Sequence, residues 1–130
     1  MKKIQNTPIR VLIIEDDPDI LNALNIVLGS VGFDVDVLMK GQSILKNQFV
    51  LPDVFVIDKR LPDTDGLEIC RYLKSKVNYK DTPVIIISAS HRIKKKAFDA
   101  GADDFVVKPF VIQDLVNVIH RSLEKNNHVH

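Results

Sequence analysis

Tryptophan is absent from this sequence, and aromatic residues make up only 6% of it. Few rings stand near its one basic stretch, Arg92 and Lys94 to Lys96, which argues against nucleic-acid binding there by base stacking. Cysteine occurs once, as Cys70, which excludes an internal disulfide and the common multi-cysteine metal centres. Such usage suits a reducing compartment, so a cytoplasmic location is expected. An excess of one charge is also lacking. Eighteen basic residues against 17 acidic ones leave a formal net charge of +1, so no global field favours nucleic acid or an anionic membrane. Apolar runs are short: the longest aliphatic ones, such as Val11 to Ile14, have four residues, too few to span a bilayer. Met1-Lys2-Lys3-Ile4-Gln5-Asn6 is followed by no apolar stretch, so no secretory signal is expected. The five glycines and six prolines form no linker, and no internal repeat is visible. Function must reside in a local site.

What the sequence does have is short, continuous apolar runs rich in β-branched residues. Val11-Leu12-Ile13-Ile14, Val54-Phe55-Val56-Ile57, Val84-Ile85-Ile86-Ile87 and the shorter Phe105-Val106-Val107 do not alternate with polar residues. Strands buried on both faces of a parallel sheet read this way. Phe33 to Leu38 alternates in part, as a strand near an edge does. Between the runs, apolar residues recur at helical spacing: Ile20, Leu21, Leu24, Val27 and Leu28 after Asp17-Pro18; Leu67, Cys70 and Leu73; Ile93, Ala97 and Ala100 before Gly101; and Leu115, Val118 and Ile119 near the end. Residues 40–48 are expected to add a short helix. Strands alternating with helices predict βαβ units and an α/β fold with an open parallel sheet covered on both sides. The last helix carries a second apolar stripe, Ile112, Val116, Ile119 and Leu123. That stripe is expected either to be exposed for a partner or dimer or to lie under the tail.

In open α/β sheets, sites lie beyond the carboxyl ends of the strands. Glu15, Asp16 and Asp17 follow the first strand, Asp58 follows the third, Ser88 ends the fourth run, and Lys108-Pro109 follows the last. Topology thus brings carboxylates, a hydroxyl and an ammonium to one edge. Glu15, Asp16 and Asp58 would repel one another without a cation among them. Oxygen ligands with no cysteine or histidine nearby favour a hard ion such as Mg²⁺. Three carboxylates, one divalent ion and one lysine sum to zero charge. A carboxylate neutralised in this way is suited to accept a phosphoryl group in line. By contrast, Asp53, Asp103 and Asp104 precede their strands and belong to the opposite edge. Asp17, Asp63 and Asp65 read as turn and capping residues. His91, His120, His128 and His130 lack ligand spacing. Arg92 and Lys94-Lys95-Lys96 read as the wet face of a helix, with partner docking as the alternative.

The segments Ile14-Glu15-Asp16-Asp17-Pro18, Ile57-Asp58-Lys59-Arg60-Leu61-Pro62-Asp63-Thr64-Asp65-Gly66, Ile87-Ser88-Ala89 and Val107-Lys108-Pro109-Phe110 together resemble the receiver domain of two-component response regulators. The resemblance implies a flavodoxin-like, doubly wound five-stranded parallel sheet in the order 2-1-3-4-5 with five helices. It implies that Asp58 is the phosphoacceptor, supplied by a histidine kinase or a phosphotransfer protein. Asp16, Asp58 and the main-chain carbonyl of Arg60 would bind Mg²⁺, with Glu15 acting through a metal-bound water. Ser88 and Lys108 would contact the phosphoryl oxygens, Phe105 would be the aromatic switch residue, and Lys108-Pro109 would be a cis peptide. Glutamate at 15, serine at 88 and phenylalanine at 105 are familiar departures that leave switch geometry and phosphoryl lifetime open.

The expected organisation is an N-terminal extension over 1–8, a receiver domain over 9–125 and a disordered tail over 126–130. The expected role is a stand-alone phosphoacceptor switch. It would be no enzyme beyond catalysing phosphorylation and dephosphorylation of its own aspartate. The surface of the fourth helix, last strand and last helix would act on a downstream protein, with neither nucleic acid nor membrane as a direct partner. A monomer or a phosphorylation-dependent homodimer fits equally. The rivals are a phosphorylation-independent interaction module on the same fold, a metal-dependent phosphohydrolase and a nucleotide-binding flavodoxin-like protein. The hydrolase would want a second acid where Arg60 stands, and the nucleotide binder a glycine-rich first turn that this chain lacks.

Overall fold

The computed structural model describes residues 7–127. Five strands alternate with five helices: β1 (Arg10–Ile14), α1 (Pro18–Ser30), β2 (Asp34–Leu38), α2 (Gln42–Leu45), β3 (Val54–Asp58), α3 (Gly66–Ser75), β4 (Val84–Ser88), α4 (Lys94–Asp99), β5 (Asp104–Val107) and α5 (Ile112–Asn127). A 3-10 turn, His91–Ile93, leads into α4. The sheet order is β2-β1-β3-β4-β5, with each neighbouring pair parallel. That is the flavodoxin-like order the resemblance implies.

The strands read as unbroken apolar runs because both faces of the sheet are covered. Val11, Ile13, Val54, Val56, Ile85 and Ile87 pack with α1 and α5 on one side. The alternate residues Leu12, Ile14, Phe55, Ile57, Val84 and Ile86 pack with α2, α3 and α4 on the other. Burying each such side chain contributes about 1.5–3 kcal/mol. Edge strand β2 exposes Asp34 and Asp36, which Arg10 answers at 3.7 and 3.3 Å. Charge on an edge strand discourages pairing with a second sheet. At the opposite ends of the strands from the site, Asp53 accepts from the Arg10 amide, Asp103 from Val84 and Lys74, and Asp104 from Arg121.

Capping follows the sequence. The Asp17 carboxylate accepts from the Asp19 and Ile20 amides ahead of Pro18, starting α1. Gly101, at φ +103°, takes the left-handed conformation just after α4. Helix α2 is shorter than the 40–48 expected, and Asn47 beyond it has φ +58°. Its first amides are capped from a distance: Asp63 accepts from Gly41 at 2.9 Å and Gln42 at 2.8 Å. Slight burial acts against the charge of Asp63, but these amides outweigh it and hold its carboxyl below the ordinary 3.8. Asp63→Ala is expected to lower stability by about 1 kcal/mol in urea unfolding, with Asp63→Asn losing less. The difference should be full above the ordinary carboxylate range and vanish as pH falls through the lowered value.

The second apolar stripe of α5 is not an exposed surface. Val116 and Ile119 are buried, and Ile112 and Leu123 pack half-buried against the same cluster. Helix α5 touches α1 as well as β3 and β5, so two neighbours use both stripes. Ser122 is buried at 1% exposure, and its hydroxyl has no hydrogen-bond partner among the described residues. Replacing such a group by an apolar one removes a desolvation cost, so Ser122→Ala is expected to raise stability by about 1 kcal/mol in thermal unfolding. Of the expected extension, Thr7 and Pro8 are exposed ahead of β1, and residues 1–6 lie outside those described. Helix α5 runs through Asn127, past the start of the expected tail, and residues 128–130 lie outside those described.

Candidate functional site

Strand register sets the site. Ile14 pairs with Ile57, Asp58 with Ile87, and Ser88 with Val107, so these strands end at one level. Each ladder continues one residue further: the amides of Glu15, Lys59 and Lys108 donate to the carbonyls of Leu38, Ile87 and Ser88 at 3.0, 2.8 and 2.8 Å. Side chains alternate along a strand. Glu15, Asp58 and Lys108 therefore continue the rows of Ile13, Val56 and Val106 on the α1/α5 side, and meet there. Ser88 continues the row of Val84 and Ile86, on the α4 side where Phe105 packs half-buried.

The Lys108 ammonium donates to Glu15 Oε1 at 2.8 Å and to Asp58 Oδ2 at 3.1 Å. Both carboxylates are buried, at 2% and 6% exposure, whereas Asp16 is exposed at the mouth. The second Glu15 oxygen accepts from the Asp17 amide at 3.1 Å, and the Arg60 amide donates to Asp58 Oδ1 at 3.4 Å. Burial pushes the Glu15 carboxyl up, and Asp58 adds to that, against the opposing pull of Lys108 and the Asp17 amide. For Lys108, burial works against the charge, but hydrogen bonds to Glu15 and Asp58 outweigh it and hold the ammonium above its ordinary value. Three acids beside one ammonium leave an anionic pocket. One oxygen from each of Glu15, Asp16 and Asp58 lies within 4.8 Å of the others. Two buried oxygen donors and one open to water suit a hard divalent cation that keeps part of its hydration.

These groups line a cleft of about 350 Å³ with Arg60 and Ser88. The structure thus brings together Glu15, Asp16, Asp58, Arg60, Ser88 and Lys108. Phe105 is not among the residues lining the cleft. The Ser88 hydroxyl accepts from the Ser90 amide at 3.1 Å. The Lys108-Pro109 peptide is cis. Cys70 is a core residue, its thiol pushed up to about 11 by burial, and takes no part.

The sequence gives Asp65 as a capping residue but not the other supports of this site. Lys59 pairs with Asp65 at 2.8 Å, while Asp65 caps α3 through the Leu67 amide. The Gly66 amide donates to the Lys59 carbonyl at 2.7 Å, drawing the end of β3 against the start of α3. A turn glycine was visible in the sequence, but the tightness of this approach was not. Also missed was an apolar groove of about 470 Å³ between α1 and the segment after β5. It is lined by Ile20, Leu24, Phe110 and Ile112 and adjoins the cleft through Ala89 and Lys108. Its walls lie about ninety residues apart in the chain, so no local pattern signals it.

The sequence matches the response regulator receiver domain family over residues 11–120. It is 36% identical over 130 residues to the transcriptional regulatory protein TrcR of Mycobacterium tuberculosis, covering 98% of this chain and 50% of TrcR. The chain spans about half the length of the curated relatives it matches. Among solved structures, it resembles the receiver domain of sensor histidine kinase PA1611 from Pseudomonas aeruginosa, with a TM-score of 0.81 and 25% identity, covering 91% of this chain and 99% of that one. It also resembles the chemotaxis response regulator CheY4 of Vibrio cholerae, with a TM-score of 0.81 and 26% identity, covering 89% of this chain and 99% of that one. Sequence and fold agree over the segment that carries the cleft, and the chain belongs to the receiver domain family of two-component response regulators.

Proposed function

We propose that Asp58 is the phosphoacceptor of this receiver domain and that its donor is a phosphohistidine on a sensor kinase or phosphotransfer protein. Oδ of Asp58 forms the new P–O bond as the donor P–N bond breaks, and the histidine leaves with its electron pair. The observation that carries this reading is the Lys108 ammonium joining Glu15 and Asp58 beside the exposed Asp16. Magnesium is coordinated in the active site cleft of the Pseudomonas receiver domain, and the oxygen-only donor set here suits the same ion. Glu15, Asp16, Asp58 and the Arg60 carbonyl would hold it, and it would supply positive charge to balance the phosphoryl oxygens. Lys108 steadies those oxygens from one side, and Ser88 donates its hydroxyl from the other.

Ser88 and Phe105 share the α4 side of the sheet, so a shift of the hydroxyl toward the phosphoryl group changes the space beside the ring. That change biases the surface formed by α4, β5 and α5. Curated relatives are about twice as long and include transcriptional regulators. The surface therefore acts on a further domain of the same polypeptide or on a separate protein. A donor protein delivering its phosphoryl group to Asp58 must sit over the cleft and the adjoining apolar groove. The test is intact-protein mass spectrometry with acetyl phosphate. One phosphoryl group is expected with Mg²⁺, and none after EDTA treatment. Labelling that is unchanged by EDTA, or absent with Mg²⁺, overturns the reading.

A further inference from the structure

The Arg60 carbonyl is the main-chain oxygen assigned to the cation, so its place depends on how the loop between β3 and α3 is held. From within the cleft the hold is loose: the Arg60 amide reaches Asp58 Oδ1 only at 3.4 Å. From the α3 side it is tight. The Gly66 amide donates to the Lys59 carbonyl at 2.7 Å, and Arg60 and Asp65 face each other as an antiparallel bridge. The Lys59 ammonium closes the same gap, donating to Asp65 Oδ2 at 2.8 Å. Further along, Asp63 ties the loop to the Gly41 and Gln42 amides at the start of α2.

Folding has little use for the charge pair. Its side chains are 31% and 41% exposed, and pairs so wet contribute little to stability. The cap of α3 uses the other Asp65 oxygen, Oδ1, which accepts from the Leu67 amide at 2.8 Å. The Lys59 amide is fixed separately, to the Ile87 carbonyl at 2.8 Å. What the pair does span is the loop that carries Arg60, and Lys59 lines the cleft. Charge alone argues against a lysine there, because an ammonium near Glu15, Asp16 and Asp58 repels a second cation. Asp65 balances that charge and turns the side chain into a brace. We propose that Lys59 is a positioning residue for the cation site, bracing the loop through Asp65 so that the Arg60 carbonyl keeps its place beside the carboxylates. This rests on the reading of the cleft as a magnesium site, and not on phosphorylation.

The probe is Mn²⁺, a hard ion that takes the same oxygen donors, with binding to the full chain followed by electron paramagnetic resonance of the free ion. Lys59→Met keeps a long side chain without its charge, and Asp65→Asn keeps an oxygen for the cap without the ion pair. For Lys59→Met the brace and bare electrostatics predict opposite signs. Removing a positive charge should tighten the site, whereas losing the brace should weaken it. Each variant is expected to bind Mn²⁺ about threefold more weakly than the parent, the double variant no more weakly than either, and Lys59→Arg within about twofold of the parent. Metal-free unfolding midpoints in urea should stay at the parent's value. Tighter or unchanged binding by Lys59→Met, losses that add in the double variant, or a midpoint that falls along with the affinity overturns the proposal. Acetyl phosphate labelling is run alongside. In Lys59→Met its rate at saturating Mg²⁺ should stay within about twofold of the parent, while the Mg²⁺ needed for half that rate rises. A labelled parent whose variants bind metal as it does sinks the brace alone. A parent that takes no phosphoryl group, with the affinities as expected, supports the brace and sinks the switch.

Discussion

Asp58→Asn is expected to remain folded and to take no phosphoryl group from acetyl phosphate and Mg²⁺. An amide keeps the shape of the carboxylate but not the nucleophilic anionic oxygen, so labelling should fall to background in intact-mass spectra. Folding should change little. The Lys108 ammonium keeps Glu15 at 2.8 Å, and an asparagine oxygen can still accept at the second contact. Losing the Asp58 charge also relieves the buried Glu15, whose carboxyl that charge pushes up. The loss of one charge-assisted bond and the relief of one repulsion oppose each other, so stability should stay within about 1 kcal/mol of the parent. Full labelling of the variant would move the acceptor to another acid of the cleft and end the assignment. Asp16 is the natural control: it is exposed at the mouth, and its loss should raise the Mg²⁺ concentration that labelling needs without removing the acceptor.

The largest effect on folding from a single added methyl group should come from Gly66→Ala. A Cβ there would stand 2.2 Å from the Asp58 carbonyl oxygen and 2.9 Å from Lys59 Cα, both backbone atoms with little room to yield. Relief requires α3 to move away from the end of β3, breaking the Gly66 amide bond to the Lys59 carbonyl and loosening the turn that holds Asp65 against Lys59. Overpacking of this kind costs about 3 kcal/mol, which should appear in denaturant and thermal unfolding. Because the displaced turn carries Arg60 and follows Asp58 directly, labelling should slow even in molecules that stay folded. Gly29 provides the contrast. It has no atom within 4 Å of a built Cβ and lies inside α1, so Gly29→Ala should be neutral or stabilising. Equal stability of Gly66→Ala and the parent would mean that the close approach is not a constraint.

The parallel sheet was legible because burial on both faces removes alternation. Val84 to Ile87, rich in β-branched residues and ending at Ser88, read as a covered strand. The edge was legible in Asp34 and Asp36 for the converse reason. The acids after β1 and β3 were legible as candidates because strand ends are where open sheets present chemistry. The outer stripe of α5 was not legible as core. An amphipathic pattern reports how much of a helix is apolar, but not how many neighbours share it, and α1 used the second stripe. Asp63 read as a turn residue, yet its carboxylate caps α2 from twenty-two positions away, a pairing no local pattern contains.

The chain alone determined its strands, helix starts and the acids and base available at one sheet edge, since each follows from interactions among near neighbours. Only the tertiary structure decided which of those groups meet. Lys108 and Glu15 lie 93 residues apart and come to 2.8 Å because strand order places β1, β3 and β5 in register and alternation turns their end residues to the same side. Such contacts depend on long-range register, which is set by the whole packed sheet and not by any segment of it.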